Sequence, residues 1–520
     1  MSPEMTPDLM PDPIHDLIHD LAQPIRKLVI VGRDAAAWLA ANALVRALGH
    51  ALTVEVVELP SLLRPSDVYA SQPALSSLHG MLGLRESDLL SAVRGVYSLG
   101  QSFANFSRSR PAFFHPYGVH GAMINGRAFA QVWLKARQGG MRVDFEDFSL
   151  NTAAAKQGRF FLPNSHTDNL GPCDFATHLK AVPYVQALKR VALSLGVSVR
   201  PARHIEARID PVSGDVTAVV LSDGSEAVGD LFIDATGTAS LLLGEARKVG
   251  FDSWQPWLRF DRTVTVSADA LAVIPAYSQV RALEQGCLHL APVRDATSLT
   301  FAFAGGLMTD DDALQTAAIV TGLRLRQDAV ADDLHCGRRQ AVWDGNVIAL
   351  GEAAAVFDPI DNLGLHAVHQ GLANLISLFP LDTTQVPERA EYNRRMASHF
   401  DRLRDFQIAH YKLNQNTDME VWDALRTMPV PDELAYKIEL FRTRGIIAQY
   451  DDETFETDNW LSIFFGHGLM PDSYDPLVDA LPEDQLIQTF QRMLGVIKTE
   501  VAAMKPHAAY LEAGKTRTHA

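Results

Sequence analysis

Asp358 and Asp361 stand three apart in "LGEAAAVFDPIDNLGLHAV", residues 350–368, on either side of Pro359-Ile360. They look like paired carboxylates, groups that can hold and pass a proton. Asp358 precedes the proline and reads as a cap for the loop. His366 and His369, three apart on the helix that follows, line one face as a proton donor would. A polar helix face with satisfied hydrogen bonds is the plainer alternative. Cys287 and His289 in "GCLHLAPV" lie at i and i+2. On a strand they face the same side, so thiol and imidazole can meet. That fits a Cys-His pair, or a metal site if His335 or Cys336 of "LHCGRR" adds a ligand; a repacked wall is again the plainer reading.

Other spacings point to a dinucleotide. "KLVIVGRDAAAWLAANALVRAL", Lys27 to Leu48, is an apolar run, one glycine and a helical pattern. A phosphate-binding fingerprint has glycine at three positions, G-x-G-x-x-G. Here they are Gly32, Asp34 and Ala37. Alanine is tolerated at the third. A carboxylate at the second crowds the pyrophosphate and repels it by roughly 3–4 kcal/mol at ~4–5 Å and an effective dielectric near 20. That is a loss on the order of a hundred-fold in affinity, or more, which Arg33 offsets in part if it folds toward the phosphates. Glu58 ends the next strand, where an acid contacts ribose in such folds. Downstream, Gly351 makes a second glycine turn, Ala353 and Ala354 are small enough for close packing, and Arg338 of "CGRR" supplies a basic residue just before that strand. The same small residues would also simply let a helix pack on a strand.

These groups need elements to hold them. Leu28–Val31 reads as a strand, Ala35–Leu48 as a helix, and "ALTVEVVEL" returns to β-branched residues. "YVQALKRVALSLG" reads as a helix closed by Gly196; Asp223-Gly224 marks a hairpin turn, followed by a buried strand, Leu231–Asp234. The predicted fold class is α/β, a nucleotide-binding core assembled from three separated pieces with long insertions. From about Asp382 the pattern is helical and rich in Tyr, Phe and His. The expected organisation is an N-terminal arm over 1–26, a core with insertions over 27–375 and a helical substrate or cap region over 376–520.

Composition narrows the partners. The chain has 520 residues, 47% hydrophobic and 21% charged, as ordinary globular proteins do. A formal charge of -16 excludes a general nucleic-acid or anionic-membrane binder. Three separated cysteines make no disulfide framework. No secretory leader and no membrane span is apparent, so a cytoplasmic location is expected. His15 and His19 of "IHDLIHDL", lacking a third ligand, read as part of a solvated amphipathic arm rather than a metal site.

With "FIDATG" ahead of "ALGEAAAVFDP", the chain resembles the flavin monooxygenase fold, and more closely the tryptophan-halogenase family of flavin-dependent enzymes. "VGRDAAAWLAA" is similar to that family's first glycine loop, its Trp included (Trp38). "LGEAAAVFDPIDNLGLHAV" follows its flavin and halide loop, with Pro359 and Gly364 kept. "NWLSIFFGHGLMPDSYDPL" resembles its substrate-binding end, which makes Trp460 a substrate residue. The resemblance implies FAD, a small aromatic substrate, a separate flavin reductase, and a homodimer or pairing with a paralogue.

The family oxidises chloride or bromide and passes hypohalous acid through a tunnel to a lysine, assisted by a glutamate. In "VYSLGQSFANF" the lysine's counterpart is Ser98, and the glutamate's is Asp361. A serine hydroxyl forms no haloamine and offers no cationic N–H. The two tryptophans of the family's G-W-x-W-x-I-P signature correspond to Cys287 and His289, placing these on the substrate side. Its G-E-A-T loop corresponds to Val68–Ser71, and its halide-binding S-T-G to Asn362, Leu363 and Gly364. His366 would stand in for the lost lysine as proton donor. The resulting expectation is an FAD-dependent oxidoreductase or monooxygenase acting on an aromatic or indole-like substrate without the lysine route. The alternative is a non-catalytic relative kept as a binding or assembly partner.

Overall fold

Leu28–Val31 has no solvent-accessible surface, as befits a strand covered on both faces and paired on both edges. In the computed structural model, Lys27–Gly32 lies between Thr53–Glu58 and Leu231–Ala235, parallel to each. The sheet extends through Val347–Ala349 on one side and Ser198–Pro201 on the other, both parallel, and ends in the antiparallel Trp343–Asp344. Its strands come from distant parts of the chain, the expected core of separated pieces. The structure describes residues 24–49, 52–107, 110–167, 171–380, 382–383, 386–416 and 419–513. His15 and His19 lie outside them.

Four helices matter for the site: α1 (Asp34–Leu48), α2 (Gly364–Ser377), α3 (Glu388–Lys412) and α4 (Thr457–Gly466). α1 follows Gly32 directly. Gly32 has no room for a side chain, because a Cβ there would meet the Ala235 carbonyl oxygen at 2.5 Å. The expected domain boundary at residue 376 falls within the last turn of α2.

The insertions form a second, seven-stranded sheet that the sequence pattern did not reveal. Its order is 330–333, 262–268, 296–303, 286–293, 278–283, 100–104, 112–116. All pairings are antiparallel except that of 278–283 with 100–104. Val96–Ser98 belongs to a separate three-stranded sheet, with Ala176–Lys180 and Val68–Ala70. The chain therefore crosses from one sheet to the other at Leu99, and Ser98 sits at that crossing. Among the described residues, no helix is long and apolar enough to cross a membrane.

Candidate active site and cofactor crevice

The 358–361 turn is held from three directions. Asp358 caps it by accepting the Ile360 N–H at 3.0 Å, with Pro359 at the first helical position. Gln407 of α3 grips Asp358, its amide donating to the Asp358 carbonyl at 2.7 Å while its carbonyl accepts the Asp358 N–H at 3.2 Å. Gln101 donates to the Ile360 carbonyl at 3.2 Å and Gln72 to the Asp361 carbonyl at 2.6 Å. All three glutamines are buried. Asn362, at φ 57°, then turns the chain through the left-handed region into α2.

This clamping leaves the Asp361 side chain at 0% exposure. Neither of its oxygens accepts a hydrogen bond from the described residues. Desolvation pushes its carboxyl up to about 8, which keeps it protonated at neutral pH. His410 of α3 comes close to it, with Nε2 3.3 Å from Oδ1. Burial drives that imidazole down to about 3. Asp358 is pushed up to about 7 by burial, although Tyr411 donates to it at 2.9 Å. Tyr411→Phe leaves one oxygen of a buried carboxyl without its donor. The expected loss is about 1–3 kcal/mol of stability, read as a lower urea midpoint at an unchanged m-value.

Ser98 is also fully buried and donates to the Gly100 carbonyl at 3.1 Å. Tyr117 hydrogen-bonds to it, and burial, then the Asp361 charge, raises the Tyr117 phenol. Ser98 and Tyr117 thus form a hydrogen-bonded pair within electrostatic range of Asp361. An aromatic wall surrounds it. Phe103 stacks on His410 with centroids 4.4 Å apart, and Phe406 lies between His410 and His115, 5.5 Å from each. Trp460 meets Phe406 edge-on at 5.0 Å, and the Lys437 ammonium stands 4.3 Å over its ring. Trp460 therefore belongs to this wall.

Other candidates are placed differently. His366 hydrogen-bonds to Thr454 at 2.8 Å and packs against His399, not against Asp361. Cys287 sits beside Tyr411 and Asp358, and burial raises its thiol. His289 is near His178 and is pushed down to about 3 by burial. No Cys287–His289 hydrogen bond and no metal-binding group of three ligands occurs among the described residues. His335 is exposed while Cys336 is buried. Arg338 pairs with Asp401 at 3.0 Å. His410, His467, His115, Gln407 and Tyr411 were not singled out from sequence; the only signal was the abundance of His and Tyr in the C-terminal helices.

The two glycine turns that would hold a dinucleotide lie close together, with carboxyl groups around them. Asp34 has φ 58°, a conformation that suits glycine and that Asp tolerates better than most residues. Its carboxylate accepts from the Ser61 hydroxyl and, at 3.2 Å, from the Leu62 N–H. Gly351, at φ 63°, sits over α1, where a Cβ would come within 3.2 Å of the Ala36 Cβ. Ala37, Ala353, Ala354 and Leu363 are buried. At Gly364 and Gly237 there is space, with nothing nearer an added Cβ than a Glu352 oxygen 3.8 Å from Gly237. Arg33 forms no ion pair among the described residues, and its buried Nε has no partner. These features fit a flavin dinucleotide.

Charge works against it. Glu352 is raised by desolvation and then by Asp34, Asp332 and Asp67, so four carboxyl groups share the crevice. Tyr69 brings its hydroxyl to the Ala35 N–H at the start of α1 and packs edge-on against Tyr184 at 6.0 Å. Glu58 is gripped by Lys189 through both carboxylate oxygens, at 2.6 and 2.7 Å.

Known proteins place this architecture. The family model described as tryptophan halogenase matches residues 27–483. Tryptophan 6-halogenase SttH of Streptomyces toxytricini is 26% identical over 474 residues, covering 86% of this chain and 88% of that protein. BrvH, a flavin-dependent halogenase from Brevundimonas sp. BAL3, superposes with a TM-score of 0.89 at 34% identity, over 94% of this chain and 99% of its own. Xcc4156, a flavin-dependent halogenase from Xanthomonas campestris, gives 0.90 at 29% identity, over 94% and 98%. With a two-layer α/β core, a Gly32–Ala37 turn and a match over most of its length, the chain belongs to the tryptophan halogenase family.

Proposed function

We propose that this family member is an FAD-dependent oxidoreductase that oxygenates an aromatic or indole-like substrate, and that it does not transfer halogen by the lysine route. Flavin-dependent relatives imply FAD as its cofactor. The Gly32–Ala37 turn with Arg33, the Gly351–Ala354 turn, and the Leu363–Gly364 entry to α2 would hold it. Reduced FAD, supplied by a separate reductase, provides the electrons that activate dioxygen. The protein's part is to exclude water from Ser98, Tyr117 and Asp361, to hold an aromatic ring against the wall of His115, Phe406 and Trp460, and to manage protons at Asp361.

The observation that carries this reading is Ser98. Its hydroxyl is engaged with Gly100 and Tyr117, at the position that the motif resemblance assigns to the family's lysine. A hydroxyl holds no halogen as a haloamine, whereas the Asp361 carboxyl, kept neutral by burial, retains a proton to transfer.

A direct test supplies reduced FAD, oxygen, bromide and indole. The expected product is an oxygenated indole with no bromoindole in the mass spectrum, and bromoindole at wild-type Ser98 would overturn the reading. The four-carboxyl crevice favours a second reading, a non-catalytic binding partner. A purified protein without visible flavin bands, and indifferent to added FAD, would establish that one instead.

A further inference from the structure

One contact at the start of α1 plays no part in the proposed oxidation. The Tyr69 hydroxyl accepts the Ala35 N–H, the second N–H of that helix. Ala35 is 2% exposed, so this donor is withdrawn from water. The first N–H groups of a helix have no partner within it. Together they make the anion seat that a pyrophosphate takes in a dinucleotide fold. Two further bonds tie the same stretch of chain to the seat, because the Ser61 hydroxyl and the Leu62 N–H both donate to the Asp34 carboxylate.

The arrangement suits the local charge. Burial, then the charges of Asp34 and Glu352, raises the Tyr69 phenol, which therefore stays neutral. A neutral oxygen satisfies the Ala35 N–H without adding a charge to a crevice that already holds four carboxyl groups. The Tyr69 backbone is fixed independently of its side chain. Val68–Ala70 pairs antiparallel with Ala176–Lys180, Tyr69 standing opposite Leu179. The ring meets Tyr184 edge-on at 6.0 Å, and the residue is partly exposed. Rotation of the side chain is the move that frees Ala35, and the strand stays paired while it happens.

We propose that Tyr69 is an internal competitor for the cofactor, its hydroxyl holding the pyrophosphate seat of α1 until FAD displaces it. The proposal rests on FAD as the cofactor and adds regulation of its entry. Phenol and phosphate exclude each other at the Ala35 N–H. A phosphate oxygen makes a charge-assisted bond there, stronger than the phenol's, which lets FAD win the seat despite Asp34. The apparent affinity for FAD is then the intrinsic one reduced by the fraction of molecules in which Tyr69 has turned away.

The test is a fluorescence titration with FAD of the wild type and of Tyr69→Phe, which keeps the ring on Tyr184 and removes only the oxygen. The free variant leaves the Ala35 N–H bare, whereas the two FAD-bound states are alike. Affinity is therefore expected to rise about tenfold in the variant. Exchange of the Ala35 amide, followed by NMR, is expected to quicken in Tyr69→Phe and to slow again with FAD. In the wild type the Tyr69 ring 13C signal is expected to shift on FAD addition as the hydroxyl leaves, a readout that depends on no variant. Equal affinities, or an unmoved Tyr69 signal at saturating FAD, would overturn the competition. Failure of both proteins to bind FAD would sink the cofactor reading, and inorganic pyrophosphate then decides the proposal. Stronger protection of the Ala35 amide by pyrophosphate in Tyr69→Phe than in the wild type upholds it, and an equal response overturns it.

Discussion

Asp34→Gly tightens FAD binding on the order of a hundred-fold, measured by fluorescence titration of the purified protein. The carboxylate stands at the fingerprint position where backbone approaches the pyrophosphate, and a unit-charge repulsion of roughly 3–4 kcal/mol corresponds to that factor. Backbone geometry does not oppose the change, because φ 58° is free for glycine. What is lost is the pair of hydrogen bonds from Ser61 and Leu62, worth about 1 kcal/mol each. Asp34→Asn separates the two effects: it keeps the turn and the bonds, removes the charge, and should recover part of the gain. Unchanged affinity in both variants would show that the pyrophosphate passes elsewhere or that Tyr69 at the Ala35 N–H is the obstacle.

Asp361→Asn stabilises the folded protein by roughly 4 kcal/mol at pH 7, and the gain disappears toward pH 4. The native carboxyl titrates near 8, while an unfolded one titrates near its ordinary 3.8. Between these values the native state holds a proton that the unfolded state has released. Wild-type stability is therefore complete below pH 3.8 and declines as pH rises toward 8, by up to about 1.4 kcal/mol per unit. Asparagine is neutral at every pH and nearly the same size, so it carries no desolvated charge in the same place. Urea denaturation of both proteins from pH 4 to 8 measures the difference. Parallel curves would mean that Asp361 is ionised in the native state. The same variant should lose turnover, so that stability and activity move in opposite directions, as expected where a strained group is functional.

The sequence by itself determined the sheet-and-helix core. The apolar run at Leu28–Val31, the turn at Gly32, the β-branched return ending at Glu58 and the strand at Leu231–Asp234 were all legible, because fully buried parallel strands and amphipathic helices carry local periodic signals. Asp34 was picked out by the fingerprint spacing and Ser98 and Asp361 by the motif resemblance, and Asp358 was correctly read as the cap. The seven-stranded sheet was not. Its strands come from between 100 and 333. Although 278–283, 286–293 and 296–303 pair as neighbours along the chain, the pairings of 278–283 with 100–104 and of 262–268 with 296–303 and 330–333 join segments that no single window of sequence links.

Only the tertiary structure decided which polar groups meet. His366 looked close to the chemistry because it lies five residues after Asp361, yet α2 turns it to Thr454. Arg338 looked like a free cation before a nucleotide strand, yet Asp401 of α3 neutralises it. His410 is 49 residues after Asp361 and reaches it because Gln407, one turn earlier on α3, binds the Asp358 backbone. Protonation was decided there as well. A carboxyl's affinity for its proton depends on desolvation and on the donors around it, and both are properties of packing between segments remote in the chain.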